Sequence, residues 1–271
     1  MFTFICKNWK NLGKDTLAIL AGLWLFCEII ISLCKLDYEV PIWGICLGII
    51  LIFIFASVCA YKKKERKLQI NHNNICIKFG DILKESGNKV IAFNEYFDTQ
   101  VDEKIISSNT LNGYVVKNLI KDVVQFDNKI QNDPYLKPLK TDVRRANGGK
   151  TNKYELGSCF KYNDIIAVAF TKFDKNDNAR LTLNEYYCCL LNFWKELNRI
   201  YNSENMVIPL LGSGITRIEN GDKITSEEKL NILLHTLKHS GISFSKDVTI
   251  TFVLNTSDKN NIKLYNIGYD K

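Results

Sequence analysis

Residues 206–217 read Met-Val-Ile-Pro-Leu-Leu-Gly-Ser-Gly-Ile-Thr-Arg, an apolar run followed at once by a Gly-Ser-Gly turn. A short apolar run bounded by glycines is typical of a β-strand that is buried on both faces. Backbone N–H groups can converge in such a turn on an oxyanion, and Arg217 would add a guanidinium fork for a phosphate. We therefore predict a buried strand over 206–211 with a phosphate-binding loop after it. The alternative is a tight turn that serves only chain reversal.

On both sides of this strand, apolar runs that read as strands alternate with amphipathic helices. The alternation predicts an α/β fold in which a mixed or largely parallel sheet is covered by helices on both faces. Residues 125–157 are polar and contain Pro134 and Pro138, so we expect a long excursion with little regular structure. The predicted strands are 74–79, 89–93, 165–170 and 248–254, with a possible edge strand at 262–267; the predicted helices are 113–124, 181–201 and 225–239, the last begun by a Thr225/Glu228 capping box.

Polar residues follow the predicted strands at the points where ligands bind in such folds. Asp81 and Asn94 come directly after the first two strands, and the polar stretch 107–113 opens a helix whose N-terminus carries a partial positive charge. Their joint placement with the glycine turn predicts a ligand that contains phosphate. The candidate binding residues are Asp81, Ile82, Asn94, Asn109, Thr110, Leu111, Asn112, Gly113, Leu211, Gly212, Ser213, Gly214, Ile215, Thr216 and Arg217.

Three other patterns do not indicate a site. Gly149-Lys150-Thr151 resembles the end of a P-loop, but Arg144 occupies the leading glycine position and no apolar strand precedes it. His235 and His239 share a helix face without the glutamate of a metalloprotease motif, so we interpret them as surface or packing residues. The nine cysteines include no Cys-x-x-Cys pair, so we predict neither a disulfide framework nor a metal site, and no cofactor.

Two long apolar stretches lie near the N-terminus. In 16–34, 15 of 19 residues are apolar, and in 41–61, 17 of 21. As helices they would span about 28–32 Å, close to the hydrocarbon core of a bilayer. A signal peptide has a shorter apolar region and no second span directly after it. We therefore predict a cytoplasmic segment 1–15, a transmembrane hairpin 16–61, a basic juxtamembrane linker 62–69 and a ligand-binding domain 70–271.

The basic residues predict the orientation of this hairpin. Eight lysines and arginines flank its outer ends, between Lys7 and Lys67, whereas the connecting turn contains only Lys35. By the positive-inside rule both termini lie in the cytoplasm, which predicts a multi-pass protein of the bacterial inner membrane. The net charge of +7 is concentrated at the membrane, so it indicates contact with anionic lipid rather than nucleic acid.

Four residues of the hairpin are candidates for association or pore formation. Glu28 lies in mid-span, where an ionisable group normally faces a protein interface or water, and Ser32 lies one turn later. Gly44 and Gly48 form a Gly-x-x-x-Gly pair that lets two helix backbones approach closely. Two alternatives stay open: packing within the hairpin and packing between protomers. Glu28 could also be a neutral, hydrogen-bonded group.

Several short motifs together resemble a macro domain over residues 70–267. They are Gly80-Asp81-Ile82, Asn94, Gly157-Ser158 before Tyr162-Asn163, and Pro209-Leu210-Leu211-Gly212-Ser213-Gly214-Ile215. Macro domains bind ADP-ribose and its derivatives above a mixed sheet. The resemblance implies that Asp81 accepts the adenine amino group, Asn94 holds the distal ribose, 109–113 covers the pyrophosphate and 212–217 cradles the phosphates.

Two departures from the macro-domain pattern bear on activity. Where hydrolytic macro domains have an Asn-Ala-Ala-Asn type loop, this chain has Phe93-Asn94-Glu95-Tyr96-Phe97-Asp98, without the second Asn and the small residues that admit a catalytic water. The longer, more charged segment after the glycine turn is a second departure. Both favour binding of a modified ADP-ribose over its hydrolysis.

The combination of a two-span hairpin with a macro domain resembles the membrane effectors of type II Thoeris antiphage defence. The resemblance implies a TIR-domain partner that makes histidine–ADP-ribose, recognition of this signal, assembly in the membrane, and cell death by abortive infection. Two alternatives remain. One is a membrane-tethered ADP-ribosyl hydrolase in which Asp98 or Asn94 positions water, and the other is a passive membrane scaffold.

Overall fold

The computed structural model of the protein describes residues 1–34, 42–174, 178–214, 217–219 and 224–268. Two compact units make up the chain: Met1–Arg66 with Lys263–Lys271, and Lys67–Ile262. We call them the helical unit and the ligand-binding unit. The predicted domain 70–271 therefore loses its last residues to the helical unit.

The helical unit is built on two helices, α1 (Phe2–Cys34) and α2 (Ile42–Tyr61). Most of the exposed large apolar side chains of the described residues lie on these helices; Trp24 is 66% and Phe55 66% exposed. Among the described residues, Trp43–Tyr61 is the one helix that qualifies by length and composition as a membrane span, with a mean hydropathy of 2.6. The first span, 16–34, stays a prediction, and the predicted turn 35–40 lies outside the described residues.

The C-terminal residues pack into the base of the helical unit. Phe4, Leu12, Ala60 and Tyr265 form a buried cluster, and the Tyr265 hydroxyl donates a hydrogen bond of 2.6 Å to Asp15 Oδ2. Residues 261–268 consist of turns and irregular backbone without a strand, so the possible edge strand at 262–267 is wrong. Its apolar residues are buried, Tyr265 in the cluster of the helical unit, rather than hydrogen-bonded in the sheet.

The ligand-binding unit contains a mixed sheet in the order β1-β2-β9-β7-β3-β5-β6-β8, with β4 paired to β5. The central pairs β2–β9, β9–β7, β7–β3 and β3–β5 are parallel, whereas β5 pairs antiparallel with β4 and β6. The carboxyl ends of the parallel strands therefore meet at one edge. The strands are β1 (Glu65–Ile70), β2 (Asn73–Phe79), β3 (Asn88–Asn94), β4 (Cys159–Tyr162), β5 (Ile165–Phe173), β6 (Ala179–Thr182), β7 (Met206–Pro209), β8 (Arg217–Glu219) and β9 (Thr249–Leu254).

Within the described residues, four α-helices accompany the sheet: α3 (Leu111–Asn118), α4 (Val123–Gln131), α5 (Leu183–Ile200) and α6 (Ser226–His239). The capping box predicted at Thr225 and Glu228 is present, and α5 has a second one at Thr182 and Glu185. The predicted α/β fold with a mixed sheet is confirmed. The five predicted inner strands are confirmed as β2, β3, β5, β7 and β9.

Three sequence predictions of local structure differ from the fold. The helix expected over 113–124 is two helices, because the Asp122 side chain accepts a hydrogen bond from Gln125 N and starts α4 afresh. The stretch 125–157 is not wholly irregular, since α4 extends to Gln131. The 62–69 segment, predicted as a linker, contains most of strand β1.

Candidate ligand-binding cavity

A cavity of about 390 Å³ lies where β3, β5 and β7 end. Asn94 closes β3, Phe173 closes β5 and Pro209 closes β7. This volume is in the range of small-molecule sites. The parallel topology thus places a cavity at the sheet edge to which the sequence prediction assigned the ligand.

Of the fifteen predicted binding residues, nine line this cavity and three lie outside its lining. The side chains of the other three lie outside the described part of the chain. Gly113 is not part of the lining, and neither are Asp81 and Ile82. Ile215 and Thr216 lie outside the described residues, as does the side chain of Arg217. The residues that line the cavity are Asn94, Asn109, Thr110, Leu111, Asn112, Leu211, Gly212, Ser213 and Gly214.

Asp81 and Ile82 have structural roles at the end of β2. Asp81 Oδ1 accepts a hydrogen bond of 3.0 Å from Leu83 N and thereby caps a short 3₁₀-helix, Ile82–Lys84. Ile82 is buried in a cluster with Val207 and Val253. The Asp81 side chain is 48% exposed, so its carboxylate remains accessible.

The N-terminus of α3 forms one wall. Thr110 Oγ1 donates to Ser107 O at 2.7 Å and accepts from Gly113 N at 3.0 Å, which fixes the loop before the helix. The Ser107 carbonyl lies so close to Gly113 that an added Cβ would be 2.2 Å from its oxygen. Gly113 therefore allows the close approach of loop and helix and does not itself line the cavity.

The glycine turn after β7 forms the opposite wall. Gly212 has φ +80°, which a residue without Cβ adopts at little cost. Ser213 Oγ donates to Leu210 O at 2.6 Å, and the buried Tyr186 hydroxyl donates to Leu211 O at 2.9 Å. Burial raises the pKa of Tyr186, so the hydroxyl stays a donor. Sequence reasoning missed Tyr186; its only signal was an inward-facing position on α5.

Asn94 reaches the cavity from the end of β3, and its amide is held by its own loop. Asn94 Oδ1 accepts hydrogen bonds from Tyr96 N (3.0 Å) and Asp98 N (3.3 Å), and Nδ2 donates to Asp98 Oδ2 at 2.9 Å. Asp98 is fully buried and also receives Arg145 Nη1 at 2.6 Å and Lys150 N at 2.8 Å. The Asp98 carboxylate therefore accepts hydrogen bonds from three donors, two at Oδ2 and one at Oδ1.

The described lining carries no charged side chain. Its polar members are Asn, Ser and Thr, and the remainder is apolar and aromatic or glycine. Asn112 Oδ1, buried at the start of α3, has no hydrogen-bond partner among the described residues. The described part of the cavity therefore offers amides, hydroxyls and backbone N–H groups to a ligand, and no ionisable side chain that could act as an acid or base.

Residues 75–255 match the family model described as "Thoeris protein ThsA, Macro domain". Thoeris protein ThsA of Bacillus amyloliquefaciens (strain Y2) is 45% identical to the chain over 204 residues, which cover 74% of this chain and 68% of that protein. Two solved structures of an Oceanobacillus iheyensis macrodomain are also similar. The one with ADP has a TM-score of 0.45 at 15% identity over 74% of this chain and 92% of that chain, and the one with MES bound has 0.45 at 14% over 74% and 93%.

Proposed function

The chain belongs to the ThsA family of Thoeris antiviral defence and carries its macro domain, and from this membership we propose that it senses an ADP-ribose derivative without turning it over. The observation that carries the proposal is the cavity between the N-terminus of α3 and the 212–214 turn, whose described lining has no charged side chain. The match to ThsA and the resemblance of the residues around this cavity to a macro domain both support a ligand derived from ADP-ribose.

The two walls of the cavity suit the phosphates of such a ligand. The first N–H groups of a helix have no intrahelical partner and carry its positive dipole end, and α3 presents them beside Leu111 and Asn112. The 212–214 turn adds backbone donors on the other side. In this proposal Asp81 accepts the adenine amino group, Asn94 holds the distal ribose, and Arg217 contacts a phosphate.

Burial of Asp98 favours binding over hydrolysis. A general base must reach a water beside the bond that breaks. Asp98 is fully buried, is not part of the described lining of the cavity, and already accepts hydrogen bonds from Asn94, Arg145 and Lys150, so it is not placed to act on a water in the cavity. Asn94, the other candidate of the hydrolase alternative, is an amide and does not take up a proton at neutral pH.

We propose histidine–ADP-ribose, made by a TIR-domain partner, as the signal, with no other cofactor. The partner would act through this small molecule. The derivative differs from ADP-ribose at its distal end, next to Asn94 in the proposed pose. Binding would shift the population of the chain toward an assembly-competent state.

The output in this proposal is homo-oligomeric assembly in the inner membrane, with both termini cytoplasmic. Ala56 and Ala60 are 7% and 8% exposed, so these small residues pack inside the helical unit. A Cβ added at Gly48 would meet no atom within 4 Å, so the Gly48 position leaves room for the close approach of a second helix. Glu28 is exposed on α1 and in lipid would require a partner from another protomer. Assembly through these residues, with Ser32, would disrupt the membrane and kill the infected cell.

Calorimetry of the full chain in detergent tests ligand binding. We expect saturable heat with ADP-ribose and intact ligand after overnight incubation, because the described cavity lining has donors but no base. Release of new products that is lost in Asn94→Ala would establish the hydrolase alternative. No heat with ADP-ribose or histidine–ADP-ribose would favour the passive scaffold.

Gly48→Leu tests the assembly face. We expect dye release from anionic vesicles that carry the full chain, triggered by histidine–ADP-ribose, to fall at least about tenfold, because the new side chain separates the helix backbones. Cys46→Leu places the same side chain on another, exposed face of α2 and should retain the release. Equal release from Gly48→Leu and the wild type would contradict packing between protomers through this face.

A further inference from the structure

Arg145 lies in the 125–157 excursion and is the least exposed cation with a described ion pair. Its side chain is 4% exposed and its Nη1 donates to Asp98 Oδ2 at 2.6 Å and to Lys150 O at 3.1 Å. The guanidinium also stacks over Tyr96 (4.3 Å to the ring centroid) and lies 5.4 Å from the ring centroid of Phe173. A single side chain thus contacts the 94–98 loop, the end of β5 and its own segment.

The Gly149-Lys150 dipeptide completes the same arrangement. Gly149 has φ +91°, and a Cβ there would lie 2.6 Å from Arg145 Nη1, 2.9 Å from Asp98 Oδ1 and 2.9 Å from Ile105 Cδ1. Lys150 N donates to Asp98 Oδ1 at 2.8 Å, and its Nζ reaches Asp127 Oδ1 at 2.6 Å and the carbonyl of Phe97. The motif that resembles a P-loop therefore fastens segment 145–150 over Asp98.

The residues that this segment touches include one end of the cavity. Asn94, Ile105 and Phe173 all line the cavity. Asn94 is held by Asp98, which Arg145 neutralises; Ile105 contacts the position of Gly149; and Phe173 lies under the guanidinium. Segment 145–150 thus touches Ile105 and Phe173 directly and reaches Asn94 through Asp98. The placement of the segment therefore determines the positions of these three side chains.

The fixed amide at Asn94 has one consequence for recognition. An amide NH₂ has two hydrogens, and Asn94 gives one to Asp98 while its oxygen accepts two backbone N–H groups. Among the described residues nothing uses the second N–H. Asn94 therefore presents a donor to the cavity, and a hydroxyl or carboxylate oxygen is what such a donor recognises.

We propose that segment 145–150 is a clamp that presets the Asn94 end of the cavity, with Arg145 as the positioning residue for the distal, non-adenosine part of the ligand. The inference rests on the proposed function, because it takes the ligand to be an ADP-ribose derivative with its distal ribose at Asn94. The 125–157 excursion would then hold cavity-lining residues in place without itself contacting the ligand.

Binding of ADP-ribose and ADP to the full chain in detergent tests the clamp, because only ADP-ribose has the distal ribose. Arg145→Lys keeps a cation beside Asp98 but loses the planar stacking and the guanidinium fork. We expect its affinity for ADP-ribose to fall about tenfold while its affinity for ADP stays within about twofold. Gly149→Ala should show the same pattern, since it displaces Arg145. Lys161→Met, which removes an ion pair with Glu204 outside the clamp, should change neither affinity.

The outcomes separate this inference from the proposed function. Equal loss of ADP-ribose and ADP affinity in Arg145→Lys and Gly149→Ala would assign the segment a purely structural role and overturn the clamp. Unchanged affinities in both variants, or a wild type that binds ADP as tightly as ADP-ribose, would also overturn it. Failure of the wild type to bind either nucleotide would instead overturn the proposed function and the clamp with it. Thermal melting of each variant confirms that the chain is folded.

Discussion

Asp98→Ala should destabilise the ligand-binding unit by about 3–5 kcal/mol, because it breaks the buried ion pair between Asp98 and Arg145. The same change removes the acceptor of Asn94 Nδ2 and of Lys150 N. For a unit of this size such a loss corresponds to a fall in Tm of about 6–20 °C. Thermal melting of the full chain in detergent, followed by near-UV circular dichroism, measures it.

Lys161→Met is the matched control for that prediction. Lys161 pairs with Glu204 at the surface, where the Glu204 side chain is 49% exposed, and exposed pairs contribute about 0–1 kcal/mol. Asp98→Ala should also lose ADP-ribose binding, since Asn94 is no longer oriented. A loss of stability in Asp98→Ala as small as that in Lys161→Met would contradict the buried ion pair described above.

Gly113→Ala should abolish detectable ADP-ribose binding, with a loss of affinity of at least about 100-fold. Its Cβ would lie 2.2 Å from the Ser107 carbonyl oxygen and 3.0 Å from Ser108 Cα, and backbone atoms cannot yield as a flexible side chain can. The loop 107–110 must then move away from α3, which breaks the Thr110 cap and shifts the donors at the N-terminus of the helix. Calorimetry with ADP-ribose on the full chain measures the loss.

Gly80→Ala is the control for Gly113→Ala because it adds the same methyl group close to a predicted binding residue, Asp81. The nearest atoms to a Cβ at Gly80 are a Glu85 oxygen at 3.7 Å and a Val253 methyl at 3.8 Å, which are ordinary contacts. We expect binding within about twofold of the wild type. If Gly113→Ala bound ADP-ribose as well as Gly80→Ala does, the tight approach of loop 107–110 to α3 would not determine the shape of the cavity.

Local patterns in the sequence were sufficient for the inner sheet and for much of the cavity. Continuous apolar runs such as 165–170 and 206–211 identify strands buried on both faces, and parallel strands place the residues that follow them at one edge. Asn94 and Gly212 therefore meet in the structure as predicted. The short strands β4 and β6 were missed, because strands of four residues have little apolar periodicity.

The contacts behind the cavity could not be read from local patterns. Arg145 and Asp98 are 47 residues apart, and neither lies in a helix or strand whose periodicity would indicate burial. A Gly-Lys-Thr sequence in a polar stretch does not indicate which residue it contacts. Its contact with Asp98 forms only in the folded chain. The 125–157 stretch was predicted as irregular because Pro134, Pro138 and its polar composition conceal the continuation of α4 to Gln131.

The chain enters the ligand-binding unit at Lys67 and leaves it after Ile262, and the residues that follow rejoin the helical unit. In topological terms the macro domain is an insertion within a discontinuous N- and C-terminal unit. Residues 263–271 are therefore not a dispensable tail. Their deletion removes Tyr265 from the core beside Phe4 and Leu12. Tags at either end of the chain are therefore attached to the helical unit and not to the ligand-binding unit.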